Sequence, residues 1–190
     1  LAEGVSRVKG FGNIHQHLDL IAGLPYENLE SFQKSFDDVY GMQPDQLQLG
    51  FLKVLKGSGM KEDADGYEIR YHEHAPYEVL TTRWLNYGEV LTLKGVEEMV
   101  EVYYNSRQFD RTIAHIMEQY DSPYRFFLEL SEYYERKGLS GIGHSRIARY
   151  EILRAFLEEK KLGGPDNDQC MVLDLYAREN LKSRPAFAPD

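Results

Sequence analysis

The sequence predicts an α/β segment followed by an all-α helical bundle. Two observations predict the α/β segment. Residues 17–22 form a largely apolar run that ends at Gly23 and Pro25, which is typical of a parallel strand covered on both faces. Residues 46–52 form a second strand pattern just after Pro44. A third observation, apolar residues at helical spacing through most of residues 86–181, predicts the bundle.

A helix is expected between the two strands. Asn28 can cap its start and Gly41 can end it. Its apolar positions recur at helical spacing: Leu29, Phe32, Phe36, Val39 and Tyr40. A right-handed crossover makes the two strands parallel. Because two parallel strands do not form a stable sheet alone, we expect the last βαβ elements of a partial barrel or an open sheet. Its other strands are missing or come from another element, such as residues 66–72.

Five further helices are expected in the second half of the chain. Asn86 and Glu89 are spaced like a capping box, and Ser122 with Pro123 supplies a cap and a first turn. The predicted helices cover residues 86–104, 107–120, 122–138, 145–163 and 168–181. Residues 138–143 are expected to be a flexible link and residues 185–189 a tail.

Composition narrows the function classes. The chain has 190 residues, 42% of them hydrophobic, and a net charge of −9, which argues against general nucleic-acid binding. Arg146, Arg149 and Arg154 leave room for a local basic patch. The sequence contains neither a signal peptide nor a run of roughly 18 apolar residues, so we expect a cytoplasmic protein that does not enter the membrane. The single cysteine, Cys170, excludes an intrachain disulfide.

Asp19 is the acidic residue within the first strand pattern. Alternation along the strand places His17, Asp19 and Ile21 on one face. One interpretation is a carboxylate that binds a ligand near the carboxyl end of the strand, where parallel α/β folds hold their ligands. The alternative is a structural Asp that caps a loop or pairs with an arginine. Spacing leaves both open.

Residues 17–32 and 47–57 resemble the late barrel strands of radical S-adenosylmethionine enzymes. The first segment carries the pattern Asp-x-Ile-x-Gly-Leu-Pro, and the second ends in Leu-Lys-Val-Leu-Lys-Gly. The segments Pro-Tyr-Glu-Val-Leu at 76–80 and Tyr-Tyr-Asn-Ser at 103–106 bring the resemblance closer to the iron–sulfur oxidoreductase-like subgroup with an N-terminal cobalamin-binding domain. The resemblance implies that residues 1–75 end a TIM-like radical domain and that residues 76–190 form a helical C-terminal domain of unknown role.

The resemblance also implies roles for individual residues. Asp19 is a candidate contact to S-adenosylmethionine or substrate, and Ile21, Gly23 and Leu24 are candidates to line the adenine. Two further residues could face the substrate: Gln48 and Lys53.

One departure from the family pattern is decisive. This sequence lacks the Cys-x-x-x-Cys-x-x-Cys motif that holds the [4Fe–4S] cluster. Together with the start at Leu1, this leads us to expect a fragment that is inactive alone. Its partner would be the upstream part of its own chain, in a parent that cleaves S-adenosylmethionine reductively for radical chemistry or methyl transfer. The substrate, the catalytic residues and the use of cobalamin stay open.

Other interpretations compete with this one. The helical part could be a protein-interaction or substrate-recruitment module without catalysis. Two histidine pairs, His15 with His17 and His72 with His74, have strand spacing suited to metal ligands, but no carboxylate or cysteine completes a motif, so we expect no metal site. The tyrosine pairs at 103–104 and 133–134 could form an aromatic groove, or could place one ring in the core and one at its rim. An incomplete sheet could also lead the fragment to form a homodimer.

Overall fold

The computed structural model describes residues 1–178 and 184–188. The chain divides into two compact units, residues 1–97 and 98–190, and the division falls within one helix. The described residues are mixed α/β and mostly helical, with two separate two-stranded sheets. No helix in the described part of the chain is long and apolar enough to cross a membrane.

A βαβ element forms the first unit's parallel sheet, as predicted. Helix α1 (Ala2–Lys9) precedes strand β1 (His17–Ala22), helix α2 (Leu29–Gly41) and strand β2 (Gln46–Phe51). The two strands are parallel, with Asp19 opposite Gln48 and Ile21 opposite Gly50. At the start of α2, the Asn28 side chain accepts a hydrogen bond from the Ser31 backbone amide, and the Ser31 hydroxyl accepts one from the Asn28 amide. This reciprocal pair confirms the predicted cap.

Only one face of the parallel sheet is covered. Leu47, Leu49 and Phe51 are buried on the same side of β2, and helix α2 buries Phe32 and Phe36 completely. On the opposite side, alternate residues of both strands are exposed: His17, Asp19, Ile21 and Gln48. The prediction of a strand covered on both faces is therefore wrong for the described residues. The apolar run does not alternate clearly enough to distinguish one buried face from two.

Residues 66–72 do not extend the parallel sheet. Strand β3 (Arg70–Tyr71) instead pairs antiparallel with β4 (Val79–Thr81), and a short helix, α3 (Gly59–Asp63), precedes this hairpin. Past the end of β2, the Val79 amide donates to the Leu52 carbonyl, and Lys53 forms an antiparallel bridge with Glu78. Backbone pairing thus places the hairpin beside the carboxyl end of β2. Sequence patterns could not predict this, because strands of two and three residues carry almost no periodic signal.

The rest of the chain is helical, with boundaries close to those predicted. The observed helices are α4 (Tyr87–Val100), a π-helical turn (Glu101–Asn105), α5 (Asp110–Met117), α6 (Pro123–Arg136), α7 (Arg146–Glu159) and α8 (Pro165–Arg178). The Asn86–Glu89 capping box is confirmed by two reciprocal hydrogen bonds of 2.8 and 3.0 Å. Helix α8 begins at Pro165 rather than Asp168, because proline suits a first helical turn. Its predicted end at Leu181 lies outside the described residues.

Aromatic side chains build the core of the second unit. Tyr133 and Tyr134 are both buried, so they do not form an open aromatic groove. The Tyr103 and Tyr134 hydroxyls are 2.6 Å apart, and burial is the main cause that raises the pKa of both. The predicted tail is also anchored where it is described, because Phe187 is only 7% exposed and stacks on Tyr150. Residue 189 of that tail lies outside the described residues.

Glu129 on α6 joins three other side chains of this unit. Its carboxylate accepts hydrogen bonds from Arg125 at 3.0 Å and Tyr120 at 3.0 Å, and it pairs with Lys160 at 2.9 Å. Burial has the largest single effect on the pKa of Glu129 and raises it. Contacts with Lys160, Arg125 and Tyr120 together outweigh burial, so the pKa lies below its ordinary 4.5.

Candidate functional site

The open face of the parallel sheet forms the floor of a groove of 480 Å³. Asp19 and Ile21 reach it from β1, and Gln48 and Gly50 reach it from β2. The pleat of a strand sends alternate side chains to the same face, and the parallel register aligns the two rows. Four of the six residues singled out from the sequence thus line one groove: Asp19, Ile21, Gln48 and Lys53.

Lys53 and Glu78 form one wall of the groove. Their backbones pair in an antiparallel bridge where the chain leaves β2. The Glu78 carboxylate is paired with the ammonium group of Lys94, which also lies 4.2 Å from the centre of the Phe51 ring. Because the Phe51 ring restricts Lys94, the ion pair with Lys94 gives Glu78 a defined position in the groove wall.

The groove carries a net negative charge. Asp19, Glu78 and Glu97 contribute carboxylates, and Lys53 contributes the one ammonium group among its described lining residues. Lys94 neutralises part of this charge through its pair with Glu78. A lining of this kind attracts a ligand with cationic groups or many hydrogen-bond donors and repels a polyanion.

Gly23 and Leu24 lie just beyond the groove, at the end of β1. Gly23 is buried and has a φ of +89°, and a Cβ added there would lie 2.8 Å from Cγ1 of Val79. A glycine is therefore required by the packing of the protein itself. Leu24 is 37% exposed and does not line the groove. Contacts of either residue with a ligand stay predictions.

An aromatic cluster follows the same strand end and was not predicted from the sequence. Tyr26 is 74% exposed, and its ring centre lies 4.8 Å from that of Trp84 and 5.8 Å from that of Tyr67. A hydrogen bond between the two tyrosine side chains is the main cause that raises the pKa of Tyr67. The only local signal was an aromatic residue directly after Gly-Leu-Pro, since Trp84 and Tyr67 are distant in sequence.

The described residues offer no cluster of ligands for a metal ion. They contain no group of three or more His, Cys, Asp or Glu side chains that could hold one. His15 and His17 contact each other edge to face, with ring centres 4.7 Å apart, and His72 and His74 are exposed. The single cysteine cannot supply the several thiolates of a [4Fe–4S] cluster, so such a cluster does not fit this chain alone.

Comparison with known proteins assigns the family but no activity. No curated protein matches the chain. A family model described as a protein of unknown function, DUF4080, matches residues 65–190, which include the hairpin β3–β4 and all of the helices from α4 onwards. Because this match covers most of the sequence, the chain belongs to the DUF4080 family of proteins of unknown function.

Proposed function

We propose that this chain is the C-terminal part of a radical S-adenosylmethionine protein of the iron–sulfur oxidoreductase-like subgroup. In this proposal the groove over β1 and β2 forms part of the wall that holds S-adenosylmethionine or the substrate. One observation carries the proposal: four residues chosen by resemblance, Asp19, Ile21, Gln48 and Lys53, line the same groove. Their convergence did not enter the resemblance, which rests on the linear sequence.

The state of the sheet supports the proposal. A two-stranded parallel sheet with one open face leaves apolar surface and backbone edges uncovered, as exposed Ile21 illustrates. Further parallel strands from an upstream segment would complete such a sheet and close the groove. The residues 1–75 would then be the last βαβ part of a partial barrel, with a helical domain after them.

The charge of the groove also fits S-adenosylmethionine, which carries a sulfonium, an ammonium and a carboxylate group. Asp19 can accept hydrogen bonds from ribose hydroxyls or from the ammonium group, and Gln48 opposite it can both donate and accept. Lys53 can pair with a carboxylate. S-adenosylmethionine with its cluster would supply the radical chemistry, and the residues of this chain would bind and orient it.

The iron–sulfur cluster would be held by cysteines of the upstream segment, since this chain has only Cys170. The chain alone would then be inactive, and its first partner would be the rest of its own polypeptide. If the chain is expressed alone, its open sheet could lead it to form a homodimer, which size-exclusion chromatography with light scattering would detect.

The proposal is tested on the full-length parent protein. After anaerobic reconstitution with iron and sulfide, electron paramagnetic resonance should show a reducible [4Fe–4S] cluster, and 5′-deoxyadenosine or S-adenosylhomocysteine should be released. Asp19→Asn should retain the cluster and weaken S-adenosylmethionine binding about tenfold, as expected for the loss of a charge-assisted hydrogen bond. The matched control is Asp38→Asn, because Asp38 lies exposed on α2, where it pairs with Lys34, and does not line the groove.

A second candidate function rests on the family match itself. The match begins at residue 65, after β1 and β2, and covers the β3–β4 hairpin and the helical region. We therefore also consider a helical interaction or recruitment module without catalysis. A parent protein that binds no cluster would refute the radical-enzyme proposal and favour this module. If Asp19→Asn and Asp38→Asn bind S-adenosylmethionine equally well, the groove does not bind this ligand, but the parent protein could still be a radical enzyme.

A further inference from the structure

A pocket of 450 Å³ lies in the helical unit, where α7 ends and α8 begins. Side chains of both helices line it: Arg154, Leu157 and Glu158 from α7, and Pro165, Asn167 and Asp168 from α8. The link between the helices turns tightly, because the amides of Leu162 and Gly163 both donate to the Leu157 carbonyl, at 2.9 and 3.0 Å. Small-molecule pockets usually have volumes of about 300–1,000 Å³, so this pocket can hold a small ligand.

Asn167 brings an unpartnered hydrogen-bond acceptor to this pocket. The residue is only 4% exposed, and its side-chain nitrogen donates to the Leu162 carbonyl at 2.7 Å. This bond fixes the orientation of the side-chain amide, because the reversed orientation would place two oxygen acceptors against each other. The Oδ1 atom is buried and accepts no hydrogen bond from the residues that the structure describes. Such an acceptor costs free energy, and an N–H or O–H group of a ligand would offset this cost.

The start of α8 offers hydrogen-bond donors at the same pocket. Pro165 has no amide hydrogen, and the first bond within the helix runs from the Asp168 amide to the Gly164 carbonyl, at 3.1 Å. The amides of Asp166 and Asn167 therefore have no acceptor within the helix. Gly164 has no side chain that could cap them, and a Cβ added there would meet no atom within 4 Å. The space beside the helix start is thus open, and its partial positive charge favours a carboxylate.

The charges in the lining of the pocket balance one another. Arg154 and Lys161 contribute the cationic groups, and Glu158 and Asp168 contribute the carboxylates. The sequence predicted Arg154 as part of a basic patch, but it pairs with Glu158 at 3.0 Å and with Asp168 at 2.8 Å. The other acid in the first turn of α8, Asp166, is exposed and does not line the pocket. A lining without net charge that presents both donors and an acceptor suits a ligand that also carries both signs of charge.

We propose that this pocket binds a small zwitterion, an α-amino acid with an aliphatic side chain. Its ammonium group would donate to Oδ1 of Asn167, and its carboxylate would accept hydrogen bonds from the first amides of α8 and from Lys161. Leu157 and Pro165 add apolar surface for the side chain. The buried oxygen without a partner carries the inference, because a helix start alone would suit any anion. This inference does not depend on the proposed radical chemistry.

The test uses the full 190-residue chain and isothermal titration calorimetry at constant ionic strength. The probe is L-leucine, and two analogues are its controls: isocaproate lacks the ammonium group, and isoamylamine lacks the carboxylate. We expect saturable binding of L-leucine and at least tenfold weaker binding of each analogue, because each loses charge-assisted hydrogen bonds. Absence of saturable L-leucine binding, or equal binding of either analogue, would refute the proposal.

Substitutions locate the binding. Asn167→Leu removes Oδ1 at similar volume and should weaken L-leucine binding about tenfold, the effect of losing one charge-assisted hydrogen bond. If circular dichroism shows that this variant is unfolded, because it also loses the bond to Leu162, Lys161→Gln replaces it and should weaken L-leucine binding several-fold. The matched control is Lys137→Gln, which makes the same change of charge at the end of α6, outside the pocket, and should change the affinity less than twofold. Wild-type affinity for L-leucine in the folded pocket variant would refute the assignment.

Discussion

Removal of the Asp174 carboxylate should destabilise the helical unit strongly. Asp174 lies on α8 and is only 3% exposed. One oxygen accepts hydrogen bonds of 2.8 Å from both the amide and the hydroxyl of Thr112, and the other accepts a bond of 3.1 Å from the Arg111 amide. These amides belong to the first turn of α5, whose own cap residue, Phe109, makes no side-chain capping bond. Asp174 therefore caps α5 from a different helix.

The expected magnitude follows from these contacts. Asp174→Ala leaves the buried amide and hydroxyl of Thr112 and the half-buried amide of Arg111 without their acceptor, and each hydrogen bond to a charged group contributes about 1.5–3 kcal/mol. Because such losses are not additive, we expect the free energy of unfolding to fall by about 3–5 kcal/mol. Asp174→Asn retains one oxygen acceptor and should cost about half as much. The Arg111 guanidinium contributes little, since its side chain is 58% exposed and lies 3.4 Å from the carboxylate.

Urea unfolding, followed by far-ultraviolet circular dichroism, measures these differences. Arg111→Met is the matched control, because it removes the ion pair and leaves the amide that Asp174 caps. We expect this variant to lose less than about 0.5 kcal/mol. If Arg111→Met is as destabilising as Asp174→Ala, the ion pair rather than the cap carries the stability. If Asp174→Ala unfolds at the wild-type urea concentration, the Asp174 carboxylate does not stabilise the start of α5.

Three further predictions concern other contacts. Gly23→Ala should lower the free energy of unfolding by about 2–4 kcal/mol, because the new methyl group meets Val79 at a positive φ, whereas Gly50→Ala has only an ordinary contact and should be nearly neutral. Fluorescence of the single tryptophan during urea unfolding measures both. The lowered pKa of Glu129 stabilises the folded protein at pH values above the ordinary glutamate pKa of 4.5, and this stabilisation is lost as the pH falls through the lowered pKa. In thermal melts at several pH values, Glu129→Gln should therefore lose less stability on acidification than the wild-type protein does. Phe187→Ala should cost about 3 kcal/mol by circular dichroism, because it empties a buried ring site.

Each of these has a result that would contradict it. Equal stability of the Gly23 and Gly50 variants would show that the contact with Val79 does not restrict the chain. If the stability of Glu129→Gln depends on pH as that of the wild-type protein does, the lowered pKa of Glu129 does not contribute to stability. Full stability of Phe187→Ala would show that the ring contact with Tyr150 does not anchor the C-terminal segment.

Local elements could be predicted because their signals are local. The capping residues Asn28 and Asn86, together with apolar residues at helical spacing, place α2 and α4 correctly. The π-helical turn at Glu101–Asn105 was missed, because its sequence carries the same apolar spacing as an α-helix. The short hairpin was missed because its pairing depends on a backbone contact with the end of β2.

The candidate groove was predicted only in part. Alternation places Asp19 and Ile21 on one face of β1, but it cannot show that this face is open or that Gln48 lies opposite. It also could not distinguish Gly23, whose conformation serves packing against Val79, from a residue that lines the groove. Register and burial depend on residues that are distant in sequence.

The sequence by itself determined the order of strands and helices, their caps and the absence of cluster-binding cysteines, because these depend on neighbouring residues or on composition. The tertiary structure decided which sheet face is open, that Asp174 caps a helix 62 residues earlier, and that Arg178 joins Arg149 beside Ser106, which lies 72 residues before Arg178. The physical reason is that hydrogen bonds and charges act through space. Their partners are selected when the helices pack, and local sequence does not encode that proximity.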